Sequence, residues 1–214
     1  MIKRHSLGMS FSIEGIKMKK EIVFQYVKVL EKLKDEEYLK AVVSYNVAPV
    51  VAGKKPASIL SLGSGGRNLK LLWKQYFCNL QTKSDIEWVQ LRENENSTIV
   101  MIYNRSLLKE LLGREDIRSF FRVCGYRQLD LKALLKDIKY RYRKGCPHEI
   151  GVLLGIPLED VKAFITGDKK PLNKGGYWLV YSEVEKAYRT FALYDSIREK
   201  VAMDIIESAN RNNY

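Results

Sequence analysis

Cys146, Pro147, His148 and Glu149 stand in immediate succession, placing a thiol, an imidazole and a carboxylate within four residues. These donor types suit a soft or borderline metal ion, or an axial position on a haem iron. Zinc sites usually draw on four ligands, however, and the chain has no Cys-x-x-Cys pair and only two histidines, His5 and His148. Proline favours the first helical turn, and free N–H groups there favour a thiolate or a bound anion. The structural alternative is that His148 and Glu149 cap and orient a helical hairpin. Cys146 and His148 are too close in sequence to act as nucleophile and base on one helix, and no Gly-x-Ser-x-Gly elbow exists, so hydrolase chemistry has no support.

Two further sets of residues bear on anions. The strand Ser58–Leu62 runs into Gly63-Ser64-Gly65-Gly66-Arg67-Asn68 and then a helix, which lets N–H groups around Gly65 approach a phosphate with Arg67 as counter-charge. The third glycine of a dinucleotide fingerprint is replaced by Asn68, so a plain tight turn competes with that reading. Lys55 precedes the strand and adds to such a pocket, or is simply solvated. In the helix expected over Asp130–Lys144, Lys132, Lys136, Lys139, Arg141 and Arg143 form a basic face, the alternative site for nucleic acid, while Leu131, Leu134, Leu135, Ile138 and Tyr142 form the apolar one. Next comes a helix-turn-helix-like hairpin over residues 147–166, with Gly155 at the turn and Ile150, Leu154, Ile156, Val161 and Phe164 at apolar positions. Its second helix opens with Glu159 and Asp160, which a phosphate backbone repels, so a packed hairpin is favoured over a DNA reader.

Thirty-seven basic against twenty-five acidic residues give a net charge of +12, which favours anionic partners. Residues 122–174 hold twelve Lys or Arg against six Asp or Glu, so half of the excess surrounds the hairpin. No run reaches the roughly 18 apolar residues of a membrane span, and no signal core follows the start. Three scattered cysteines suit reduced thiols, and the reading is a cytoplasmic protein with no membrane partner.

The elements that must hold these residues alternate. Helices are expected over Lys20–Lys34, Glu36–Val43 and Asn68–Leu80, with Ala48-Pro49 breaking the second. Strands are expected at Ser58–Leu62, Ile86–Leu91, Thr98–Tyr103 and Tyr177–Tyr181, the middle two forming an antiparallel hairpin. A long closing helix turns Ala187, Phe191, Tyr194, Val201 and Ile205 inward. The fold class is α/β (α+β): a single mixed sheet of about four strands covered by helices, in one domain over residues 19–208 with tails at 1–18 and 209–214.

Ala48-Pro49 with Lys55-Pro56, Val100–Leu108, Pro147-His148-Glu149-Ile150-Gly151 through Leu154-Gly155 and Asp160-Val161, and Gly176-Tyr177-Trp178 with Val180-Tyr181 together resemble a domain-of-unknown-function family of anaerobic Gram-positive bacteria. The resemblance implies a cytosolic accessory protein of unassigned activity, sometimes encoded near iron-uptake and flavodoxin genes. The resulting expectation is a small anionic or metal-containing ligand beside the His148 helix, with a link to iron or haem, bound by Cys146, His148, Glu149, Tyr177, Trp178, Lys55, Gly65 and Arg67. Nucleic-acid binding through the basic helix, and a protein-interaction module without a ligand, are the alternatives.

Overall fold

In the computed structural model, residues 20–76 and 85–211 are described. Apolar residues at helical spacing wind α1, Lys20–Lys32. The next helix, α2, Asp35–Val51, begins with three acids at its positive end, and Glu37 accepts from the Lys34 N–H at 3.3 Å. It does not stop at Val43, and Pro49 lies inside it. Proline costs a helix interior about 3 kcal/mol. Leu39, Val42, Val43, Val47 and Val50 are nonetheless all buried on this helix, and at about 1.5–3 kcal/mol each their burial outweighs the missing N–H.

Three strands follow: β1, Ala57–Gly63, then after α3, Leu69–Tyr76, the hairpin of β2, Ile86–Glu93, and β3, Ser97–Asn104. Their order is β1-β3-β2 with both pairings antiparallel, and β2 bulges between Gln90 and Arg92. Asn94 closes the hairpin by accepting from the N–H groups of Asn96 and Ser97. Central β3 is buried on both faces, which is why its sequence is continuously apolar.

Leu60, Leu62, Val100 and Ile102 pack against α2 and α3. Ile99, Met101, Tyr103 and Leu91 pack on the other face against α4, Arg105–Gly113, α5, Glu115–Val123, α6, Leu131–Tyr142, and the hairpin of α7, Ile150–Leu153, and α8, Leu158–Thr166. The sheet is therefore the middle of three layers. Finally α9, Val184–Arg211, packs across α1 and α2, burying Ala202 and Ile206 against Tyr26 and Tyr45.

The expected fourth strand at Tyr177–Tyr181 is not formed. A single bridge, Asn173 to Val180, is all the ladder there is, because the backbone and side chains of this segment turn to the Asp160 carboxylate instead. The part of the helix expected beyond Tyr76, and the expected amino-terminal tail, lie outside the described residues. No helix among the described residues is long and apolar enough to cross a membrane.

Candidate functional site

The hairpin donors do not converge. Glu149, 9% exposed, accepts at Oε1 from the Tyr126 hydroxyl at 2.8 Å and from Arg141 Nη1 at 3.0 Å. Arg141 also donates to the Cys124 carbonyl and lies over the Tyr126 ring at 3.7 Å, so it is a clamp inside the fold rather than part of a basic face. His148 is exposed and meets Phe164 edge-on with centroids 5.1 Å apart. Cys146 is half-buried beside Tyr142, and burial pushes its thiol above the ordinary cysteine range, against the thiolate that a ligand role requires. Among the described residues no three His, Cys, Asp or Glu side chains are grouped to hold a metal ion, so Cys146, His148 and Glu149 do not form a metal-ligand set at this hairpin.

Gly65 and Arg67 are likewise apart from it. Arg67 donates to the carbonyls of Leu30 and Leu33 at the end of α1, pairs with Asp35 at 2.7 Å and covers the Tyr38 ring. It ties α1 to α2. The start of α3 is closed by Asn68, whose Oδ1 accepts from the Leu71 N–H at 3.0 Å. On the opposite side, Lys132, Lys136 and Lys139 line an open groove of about 620 Å³ with Lys109, Arg105, Glu87 and Asp130. Arg143 is exposed and lies 5.9 Å from the Tyr140 ring.

Lys55 and Tyr177 do come together, and the chain around them explains how. After α2, Gly53 turns at φ +66° and the N–H groups of Lys54 and Lys55 both donate to the Pro49 carbonyl, at 2.9 and 3.1 Å. Lys55 is thus held between α2 and β1, where it is 8% exposed. Its Nζ stands 5.9 Å from the Tyr177 ring centre and 5.6 Å from that of Tyr194 on α9. Burial, helped by the Arg198 charge, pulls its pKa down from 10.5 to about 7. The two ring faces favour the ammonium form, but at such distances they are worth about 1–2 kcal/mol, less than the cost of burying the charge.

Four residues after Tyr194 on the same face of α9 comes Arg198. It donates to the Tyr177 hydroxyl at 3.2 Å and to the Asn46 carbonyl at 3.3 Å, and faces the rings of Tyr177 and Tyr45. Tyr177 in turn donates to Asp195 at 2.7 Å. Burial raises the pKa of Tyr45, and that of Tyr194 to about 12, so both hydroxyls keep their protons. Among the described residues the Arg198 Nε and the Tyr45 hydroxyl are buried without a hydrogen-bond partner.

Trp178 belongs to the support of this cluster. Its indole N–H, the Tyr181 N–H and the Ser182 hydroxyl all donate to Asp160, at 2.9, 3.0 and 2.8 Å, and Asp160 is 1% exposed. The Trp178 and Tyr177 rings both lean on Phe191. Gly176, at φ +108°, passes so close to Phe191 that an added Cβ would lie 2.3 Å from its ring. Gly155 seats the hairpin on Pro56, where a Cβ would meet the proline ring at 2.8 Å.

Sequence reading did not single out Tyr45, Arg198 or Asp195, and placed Tyr194 in the core without a role. A usable signal existed for one of them: a cation four residues beyond a buried tyrosine lies on the inward stripe of an amphipathic helix.

The segments on which the resemblance rested, Lys55-Pro56, Gly155, Asp160 and Gly176-Tyr177-Trp178, are distant in sequence and meet around this cluster. No curated protein and no solved structure matches the chain. A family model described as a protein of unknown function, DUF3793, matches residues 43–213, and the chain belongs to that family.

Proposed function

We propose that this protein binds a small anionic ligand at the cluster of Lys55, Tyr45, Tyr177 and Arg198. The observation that carries the reading is the set of donors left over. Among the described residues Arg198 Nε and the Tyr45 hydroxyl are buried without an acceptor, and Lys55 Nζ makes no hydrogen bond or ion pair. A buried donor without an acceptor costs about 1–3 kcal/mol. A carboxylate or similar oxyanion supplies the missing acceptors and suits guanidinium geometry. Asp195 already accepts from Tyr177, and both it and Glu199 act electrostatically on Tyr45. That negative charge favours a compact monoanion over a polyphosphate. The reading does not extend to iron or haem.

The test is thermal denaturation with acetate, glyoxylate and inorganic phosphate at neutral pH. The carboxylates should raise the transition temperature saturably, and Arg198→Gln should weaken the effect at least tenfold. No stabilisation by any of the three anions overturns the reading.

A second reading has its own observation. Lys109, Lys132, Lys136 and Lys139 converge on one open groove, as a phosphate backbone requires. This reading does not draw on Arg141, whose guanidinium is paired with Glu149.

A further inference from the structure

We propose that the ligand of the Lys55 cluster is a small oxo acid, a carboxylate carrying an aldehyde or ketone, and that the Lys55 amine forms an imine with its carbonyl carbon. This rests on the reading of the cluster as an anion site and adds the chemistry of the second functional group.

The geometry separates two kinds of donor. Arg198 Nε and the Tyr45 hydroxyl lack acceptors among the described residues, and they suit a carboxylate. Lys55 is different. Its Nζ lies to one side of the packed rings of Tyr177 and Tyr194 with no carboxylate paired to it among the described residues, and Arg198 rather than an acid is the charge that bears on it. Had the chain needed only a structural cation here, a paired acid would be expected, because an unpaired buried ammonium is costly. A buried amine beside a second cation is instead the setting in which a lysine is uncharged and nucleophilic near neutral pH.

The step balances without a co-reactant. The neutral amine attacks the carbonyl carbon, a C–N bond forms, and the carbonyl oxygen leaves as water with the two amine hydrogens. The carboxylate held by Arg198 would fix which carbonyl carbon is presented, converting an encounter into a positioned reaction. Tyr45 and Tyr177, both protonated, keep the surroundings free of competing phenolate.

The experiment is reductive trapping on the wild-type protein at neutral pH, with glyoxylate as probe and cyanoborohydride as reductant, followed by peptide mass mapping. The expected result is a gain of one glyoxylic acid mass less one oxygen atom, on the Lys55 peptide, ahead of surface lysines. Acetate should compete with it, and Lys55→Arg should lose it. If glyoxylate and acetate bind equally well and Lys55 is not labelled, the oxo-acid inference fails while the anion site stands. If neither binds, both fail. Labelling of surface lysines alone also overturns the inference, and because the mapping is read on the wild type it does not depend on how the variant folds.

Discussion

Between about pH 7 and the ordinary lysine value of 10.5, the unfolded chain carries a proton at Lys55 that the folded chain does not. Stability from this residue therefore rises with pH across that window, and below about pH 7 the penalty is constant because both states are protonated. The full difference corresponds to about 3–5 kcal/mol, allowing for the ring faces that favour the ammonium. Above the tyrosine range the opposite slope sets in, since Tyr45, Tyr177 and Tyr194 all have raised values in the fold. Urea unfolding at pH 7 and pH 9 should show wild type gaining stability at the higher pH and Lys55→Met, already more stable at pH 7, gaining little. Equal pH slopes for the two proteins would refute the account of Lys55. The neighbouring hairpin offers a contrast between two adjacent residues. Glu149→Ala leaves the Arg141 charge half-buried and unpaired and should cost about 3–5 kcal/mol. His148→Ala removes an exposed ring and should cost less than about 1 kcal/mol. Denaturant midpoints of the two variants check this, and a larger loss from His148 would reverse the assignment of roles.

The segment from Asn173 to Ser182 has almost no ladder of its own, so its place is set by the three donors on Asp160 and by the rings on Phe191. Asp160→Ala should cost about 3 kcal/mol or more, and hydrogen exchange at the Tyr181 amide should accelerate far more than exchange in β3. Unchanged protection at Tyr181 would show that the segment is held by something else. This is also where sequence reading met its limit. Tyr177-Trp178-Leu179-Val180-Tyr181 has the composition of a strand, but composition cannot show that a buried carboxylate eighteen residues upstream captures its donors. The hairpin β2–β3, α6 and α9 were legible because their signals are local: β-rich runs close together in sequence, and apolar stripes. Leu154 and Phe164, expected inward, are half-buried and partly exposed, while Leu153 is fully buried, since α7 is a single turn and gives periodicity little to act on. Lys55 and Tyr177 were recognised separately; their meeting depends on where α2 ends and α9 crosses. Pro49 hid the first of these.

Across the whole molecule, the +12 charge and the lysine groove give a prediction independent of the Lys55 site. If the groove holds nucleic acid, affinity for a single-stranded probe should fall steeply with salt, and Lys136→Glu with Lys139→Glu should abolish it. A shift assay at low salt without any complex would remove that reading and leave the groove as a solvated face. The Lys55 cluster joins three parts of the fold, the end of α2, the Asn173–Ser182 segment and α9, so occupancy there should brace the molecule as a unit. It also links binding to protonation. Acetate near Lys55 shifts its amine part of the way back toward the charged form, so binding just above pH 7 takes up protons that bulk buffer supplies, while glyoxylate reacts through the neutral fraction that remains. Titration calorimetry with glyoxylate and with acetate, repeated near pH 8 in two buffers of different ionisation enthalpy, measures affinity and proton uptake together. The account predicts saturable acetate binding with net proton uptake, both lost in Arg198→Gln and the uptake alone lost in Lys55→Met. Absence of binding by either carboxylate, or acetate binding that moves no proton and ignores both substitutions, would contradict it.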